Sequence, residues 1–204
     1  TYQEYSLELI ANPTGGGMVN DSVNGNYIMG AEITVIATPA AGYYFANWTK
    51  GADIVSINPQ FTYTMPTENV TLTANFELIP TYTVTFTVDD ATSNPIQGAT
   101  IAINEETLTT DSSGVTTITL EDGTYPYTIS KVGYVTVIDS VKVNGADTTV
   151  NVTLTYQEYS LELIANPTEG GTVNNNVSGT YHMGDSITVI AIPADGYYFI
   201  NWTK

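Results

Sequence analysis

The segment Val70-Thr71-Leu72-Thr73-Ala74-Asn75-Phe76 decides the fold class. Val70, Leu72, Ala74 and Phe76 fall on one face, and Thr71, Thr73 and Asn75 on the other. That is the period of two that a half-buried β-strand requires. Threonine on the outer face keeps such a strand soluble while favouring extended backbone. Working outward, Phe61, Tyr63 and Met65 alternate with Thr62 and Thr64. Ile33, Val35 and Ala37 alternate with Thr34, Ile36 and Thr38, and Tyr5, Leu7, Leu9 and Ala11 with Ser6, Glu8 and Ile10. Gly15-Gly16-Gly17, Asn24-Gly25, Ala41-Gly42 and Asn58-Pro59 separate these runs as turns or bulges. Gly, Pro, Thr and β-branched residues interrupt every window of helical length, so the chain reads as all-β, with antiparallel structure expected.

A repeat organises the whole sequence. Thr1–Lys50 aligns without gaps to Thr155–Lys204 at an offset of 154; twelve positions differ and 38 of 50 are identical. Differences such as Gly15/Glu169, Met18/Thr172, Asn24/Ser178 and Ala31/Asp185 fall where turns or surface are expected. Self-similarity at a fixed period marks a tandem array. Strand-like sequence continues in the first copy to about Phe76, whereas the second reaches Asn201-Trp202-Thr203-Lys204. The second copy is therefore expected to be an incomplete module, its remaining strands supplied by a longer parent chain or by another molecule. Near Leu78-Ile79-Pro80 the pattern changes, and Tyr82, Val84, Phe86 and Val88 open a different unit. The expected division is a β module over 1–79, a compact sandwich of seven short strands over 80–154, and the incomplete second copy over 155–204. No Gly/Ser tract stands at either junction, so restricted angles between modules are expected.

Two family resemblances follow from ordered motifs. Leu9-Ile10-Ala11-Asn12-Pro13 with Gly16-Gly17, the run Ile33–Pro39, Gly42-Tyr43-Tyr44-Phe45 with Trp48, and Thr71–Phe76 stand in sequence order. On these, residues 5 to 77 resemble the divergent internalin B-repeat family of bacterial and archaeal surface proteins. Residues 159 to 204 carry the same pattern as far as Trp202. The resemblance implies a β-grasp-like spacer or binding repeat without catalytic residues. Residues 82 to 154 carry Pro95-Ile96-Gln97-Gly98-Ala99, Thr110-Asp111-Ser112-Ser113-Gly114, Gly123-Thr124-Tyr125 and Gly133-Tyr134. They resemble the carboxypeptidase regulatory-like and Cna B-type group of transthyretin-like sandwiches. Some Cna B-type domains form a Lys–Asn isopeptide bond from a first-strand lysine. Tyr82–Asp90 has no lysine, and Lys131 and Lys142 come late, so no such bond is expected.

Composition removes whole function classes. Four Lys, no Arg and 21 acidic residues give a net charge of −17 over 204 residues. Phosphate recognition needs clustered cations, so nucleic acid and anionic membrane surfaces are excluded as expected partners. No apolar run approaches the ~18 residues of a membrane span. Absence of cysteine removes disulfides, thiol catalysis and cysteine metal sites. The opening Thr1-Tyr2-Gln3-Glu4 reads as mature or excised sequence.

Catalysis has little to draw on. The single histidine, His182, replaces Ile28 of the first copy and is expected to be an ordinary side chain. Asp89-Asp90, Glu105-Glu106 and Glu121-Asp122 are adjacent carboxylates, which point to opposite faces of a strand and do not converge. No cofactor is expected. Calcium is the one ion the composition suits, through Asp89, Asp90 and Asp111 at one end of the sandwich, although no EF-hand spacing is present. Asn20, Asn47, Asn69, Asn151, Asn176 and Asn201 head Asn-x-Ser/Thr sequons and are candidate glycan acceptors. Tyr43, Tyr44, Phe45 and Trp48, with Tyr197, Tyr198, Phe199 and Trp202, read chiefly as core. Tyr44 and Tyr198, on the opposite face, are the candidate exposed binding aromatics.

These readings lead to a non-enzymatic extracellular structural protein, a segment of a prokaryotic cell-surface stalk, adhesin or filament. Its expected partners are neighbouring copies of itself or adjacent modules of its own chain, with head-to-tail strand complementation as a sharper form. Two alternatives stay open: a module binding a glycan or a host protein, and an accessory region of a large secreted hydrolase.

Overall fold

The computed structural model describes residues 2–204; Thr1, which opens the first repeat, lies outside them. The chain divides into two compact units, Thr1–Pro80 and Thr81–Lys204.

Eight strands build the first unit: β1 (Glu4–Asn12), β2 (Gly17–Val19), β3 (Gly25–Ile28), β4 (Glu32–Pro39), β5 (Tyr43–Lys50), β6 (Asp53–Ser56), β7 (Gln60–Thr64) and β8 (Val70–Leu78). They form a sheet of order β3-β1-β8-β5-β6 and a second of order β2-β4-β7. The alternation read from sequence sets the core. Leu7 and Leu9 of β1, Ile33, Val35 and Ala37 of β4, and Val70, Leu72, Ala74 and Phe76 of β8 are all buried. The expected antiparallel arrangement needs one correction here. β1 and β8 run parallel, from Leu7↔Val70 to Asn12↔Asn75. They are the first and last strands, joined by no hairpin, and residue alternation is the same for either direction. On the other side of β8, Phe45 faces Phe76 and Asn47 faces Asn75, so Ala46 is an extra residue. This bulge re-aims the strand. It sends Trp48 wholly into the core, where Nε1 donates to the Pro59 carbonyl at 3.1 Å. Phe76 covers Gly16 and Gly17; a Cβ on Gly16 would stand 2.8 Å from the Phe76 Cβ, which only glycine avoids.

The second unit opens with β9 (Thr81–Asp90), β10 (Thr100–Ile103), β11 (Glu106–Thr109), β12 (Val115–Glu121), β13 (Gly123–Ser130), β14 (Val137–Val143) and β15 (Thr148–Leu154). These seven strands make two sheets, β11-β10-β13-β14 and β12-β9-β15. Val84, Phe86, Ile101, Ile129 and Leu154 are completely buried between them. Each contributes about 1.5–3 kcal/mol by leaving water. Phe86 and Tyr127 meet edge to face at 5.1 Å. Here too the first and last strands pair in parallel, from Thr148↔Val84 to Leu154↔Asp90.

The repeat sequence after Leu154 forms β16 (Glu158–Leu161), β17 (Gly171–Val173), β18 (Gly179–His182) and β19 (Ala191–Pro193). β16 pairs only with β18, and β17 only with β19. Its join to the sandwich is direct. Val135 donates its N–H to the Thr155 carbonyl at 2.9 Å, and Gln157 to the Gly133 carbonyl at 2.8 Å. Tyr134 stacks on Tyr156 with ring centres 4.6 Å apart.

Candidate functional site

The candidate glycan acceptors meet different environments. Asn20 is held at both ends: Oδ1 accepts from the Ile36 N–H at 2.7 Å and Nδ2 donates to the Thr34 carbonyl at 3.0 Å. Asn69 Oδ1 accepts from the Ser6 N–H at 2.9 Å. Asn47 lies in β5 and accepts from Asn75 Nδ2 at 2.8 Å. Asn151 on β15, Asn176 in the 175–177 turn and Asn201 are exposed. Of the two aromatic candidates, Tyr44 is exposed and donates its hydroxyl to Glu77, which raises the phenol's pKa. Tyr198 is 81% exposed.

The sandwich carboxylates are turn-builders. Asp90 is buried, and its Oδ1 accepts from the Asn94 N–H at 2.9 Å, the Thr92 N–H at 2.8 Å and the Thr92 hydroxyl at 2.7 Å. The Asn94 backbone bond, then the Thr92 and Asn94 side chains, hold its pKa down at about 2. Asp111 Oδ1 accepts from the Ser113 and Val115 N–H groups at 2.8 and 3.0 Å. Asp89 sits next to Asp90 on the opposite, partly exposed face of β9. Among the described residues, no three His, Cys, Asp or Glu side chains converge as metal ligands. Lys131 donates to the Gln97 carbonyl at 2.7 Å. His182 packs against Tyr156 at 5.0 Å and lies 3.8 Å from Asp185.

One reading needs correction in the second repeat: Tyr197, Phe199 and Trp202, expected as core, are exposed, because the strands that cover their counterparts in the first repeat lie beyond residue 50 of that copy. Trp48 is fully buried, but its counterpart Trp202 is 42% exposed. Val35 is fully buried and Val189 is 36% exposed; Tyr197 and Phe199 are exposed as well. A cavity of about 400 Å³ opens between Ala165, Pro167, Gly170, Gly171, Tyr197 and Trp202. The sequence signal was available, because every one of these residues is repeated from the first copy, where the same face is closed by β8.

Two family models match the sequence. The divergent InlB B-repeat domain matches residues 7–80 and again 161–204, more than half of the sequence. The chain belongs to the divergent InlB B-repeat family. Between its two repeats, residues 83–155 match the carboxypeptidase regulatory-like domain. Both resemblances drawn from the motifs are thereby matched. Structural protein 27 of a virus (isolate Australia/Victoria) is 34% identical over 87 residues, which are 43% of this chain and 17% of the viral protein. Among solved structures, a cohesin–X-dockerin complex of Acetivibrio cellulolyticus is 27% identical over 36% of this chain, with a TM-score of 0.31; the match spans 56% of that chain. The C-terminal fragment of the pilus adhesin SpaC from Lactobacillus rhamnosus GG is 15% identical, with a TM-score of 0.45, over 79% of this chain and 100% of that one.

Proposed function

We propose that this chain is a non-enzymatic, extracellular structural segment, part of a repetitive cell-surface stalk, adhesin or filament. It is read as three modules, 1–79, 80–154 and 155–204, whose side chains serve packing and not reactivity. The observation that carries the reading is the join at Leu154–Thr155, where two backbone hydrogen bonds and the Tyr134–Tyr156 stack replace a flexible linker. A join of this kind transmits load instead of absorbing it. The tandem period supports an array extended by duplication, and a net charge of −17 supports a hydrated surface that resists non-specific adhesion. The name of the viral relative, a structural protein, agrees with this role. In its finer form, neighbouring modules join head to tail by strand complementation.

Single-molecule pulling tests the reading. Stretching the chain between its ends should give separate unfolding events, that of the sandwich releasing about 250 Å of chain. Featureless extension at low force would remove the mechanical role.

A further inference from the structure

Two phenols face each other where the sandwich meets the second repeat. Tyr134 lies in the 131–136 connection between β13 and β14, and Tyr156 lies just after β15. The two residues form an antiparallel bridge. Its bonds come from the residues on either side: Val135 donates its N–H to the Thr155 carbonyl at 2.9 Å, and Gln157 donates to the Gly133 carbonyl at 2.8 Å. Tyr134 and Tyr156 are therefore a non-hydrogen-bonded pair, the ladder position at which opposed side chains come closest. The rings follow from that backbone. Their centres stand 4.6 Å apart, with 25° between the planes. A hydrogen bond with Tyr156, then burial and nearby negative charge, push the Tyr134 phenol up to about 12, so the hydroxyl ends of the two rings lie together. Of the 15 tyrosines, these are the one pair whose rings meet among the described residues. Tyr156 is 45% exposed, so an oxidant in solvent reaches it.

We propose that Tyr134 and Tyr156 form an oxidative cross-linking site, at which peroxide and a one-electron oxidant of the haem-peroxidase class make a dityrosine that staples the sandwich to the second repeat. Each phenol gives up one electron and one proton and becomes a phenoxyl radical. The two radicals join through the ring carbons next to the hydroxyl-bearing carbons, Cε to Cε. The hydrogens on those two carbons transfer to the oxygens and restore both phenols. Peroxide takes up the two electrons and two protons and leaves as water. Coupling requires two radicals to meet before either is quenched, and the bridge holds the rings in contact in advance. The site goes beyond the load-bearing reading and does not depend on it, because the staple forms whether or not the chain carries force.

The test treats the intact chain with horseradish peroxidase and limiting hydrogen peroxide, then maps the products by mass spectrometry. Cleavage after lysine and glutamate releases 132–142, whose one tyrosine is Tyr134, and 143–158, whose one tyrosine is Tyr156. These two peptides should appear joined, two hydrogens lighter than their sum, with dityrosine fluorescence. Tyr134→Phe and Tyr156→Phe should each abolish the joined pair. Oxidation of the chain unfolded in urea should lower its yield at least about tenfold, since proximity is then lost. In the stapled chain the Val135 and Gln157 amides should exchange more slowly than before oxidation. Dityrosine that joins other tyrosines and not these two would overturn the proposal. So would an equal yield of the joined pair in urea, or oxidation that leaves no cross-link in the folded chain.

Discussion

A side chain's worth in this protein depends on which repeat holds it. Trp48 and Trp202 share local sequence, yet one is wholly buried and the other 42% exposed. Trp48→Ala should destabilise the first repeat by about 3–5 kcal/mol, the cost of removing a buried Trp. Trp202→Ala should stay within about 0.5 kcal/mol, as exposed substitutions do. Urea unfolding of the two variants measures both, and equal losses would contradict the burial assignments. Asp90 gives a pH prediction. Its folded pKa of about 2 lies below the ordinary 3.8, so its contribution is present above 3.8 and is lost as pH falls through about 2. Asp90→Asn should flatten the acid limb of sandwich stability between those values. Tyr134 works in the opposite sense. A hydrogen bond with Tyr156, then burial and nearby negative charge, push its pKa from 10.0 to about 12. Its contribution is complete below pH 10 and disappears as pH rises through about 12. Tyr156→Phe should bring the phenolate absorbance step of Tyr134 back toward 10, and an unmoved step would contradict the bond.

At the scale of elements, partners decide what local sequence only permits. β1 pairs with β3 through Glu4–Leu7 and with β8 through Leu7–Asn12. Its counterpart β16 pairs with β18 and ends at Leu161, the match of Leu7. β4 pairs with β7 through Glu32–Ile36 and with β2 through Ala37–Pro39; β19 is the counterpart of that last stretch alone. Each stretch that retains its neighbour remains a strand, and each that lies beside β6, β7 or β8 in the first copy is irregular in the second. Hydrogen exchange should accordingly find amides 8–12 protected and amides 162–166 fast, although the residues are the same; similar protection would refute the contrast. This also marks what was legible in sequence. Alternation in Val70–Phe76 and Tyr82–Val88 revealed the strands, the buried faces and the seven-stranded count. Parallel pairing of β1 with β8 was not legible, since direction leaves no trace in a period of two. Nor was the Ala46 bulge, which exists only relative to β8. Asp90 and Asp111 were visible as acids, but their engagement by Thr92, Asn94, Ser113 and Val115 depends on turn geometry.

For the whole molecule, the net charge of −17 adds a self-repulsion that weakens the folded state. With 21 acidic residues against four lysines, most carboxylates lack a counterion from the chain itself; Lys50 with Glu68 is the one Lys–carboxylate pair among the described residues. Like charges repel across the folded surface, and salt shortens their reach to ~10 Å at 0.1 M. Thermal unfolding should therefore move upward as salt is added from low ionic strength, and a flat or falling midpoint would show that self-repulsion is negligible. A last consequence comes from the parallel pairs that open and close each complete module. In β1–β8 and in β9–β15 the chain enters at one end of a strand pair and leaves at the other. Tension drawn along the backbone thus slides the two strands past each other and strains the whole ladder of hydrogen bonds at once, instead of peeling them apart singly. Rupture in such shear needs many bonds to fail together, a suitable property for a tether.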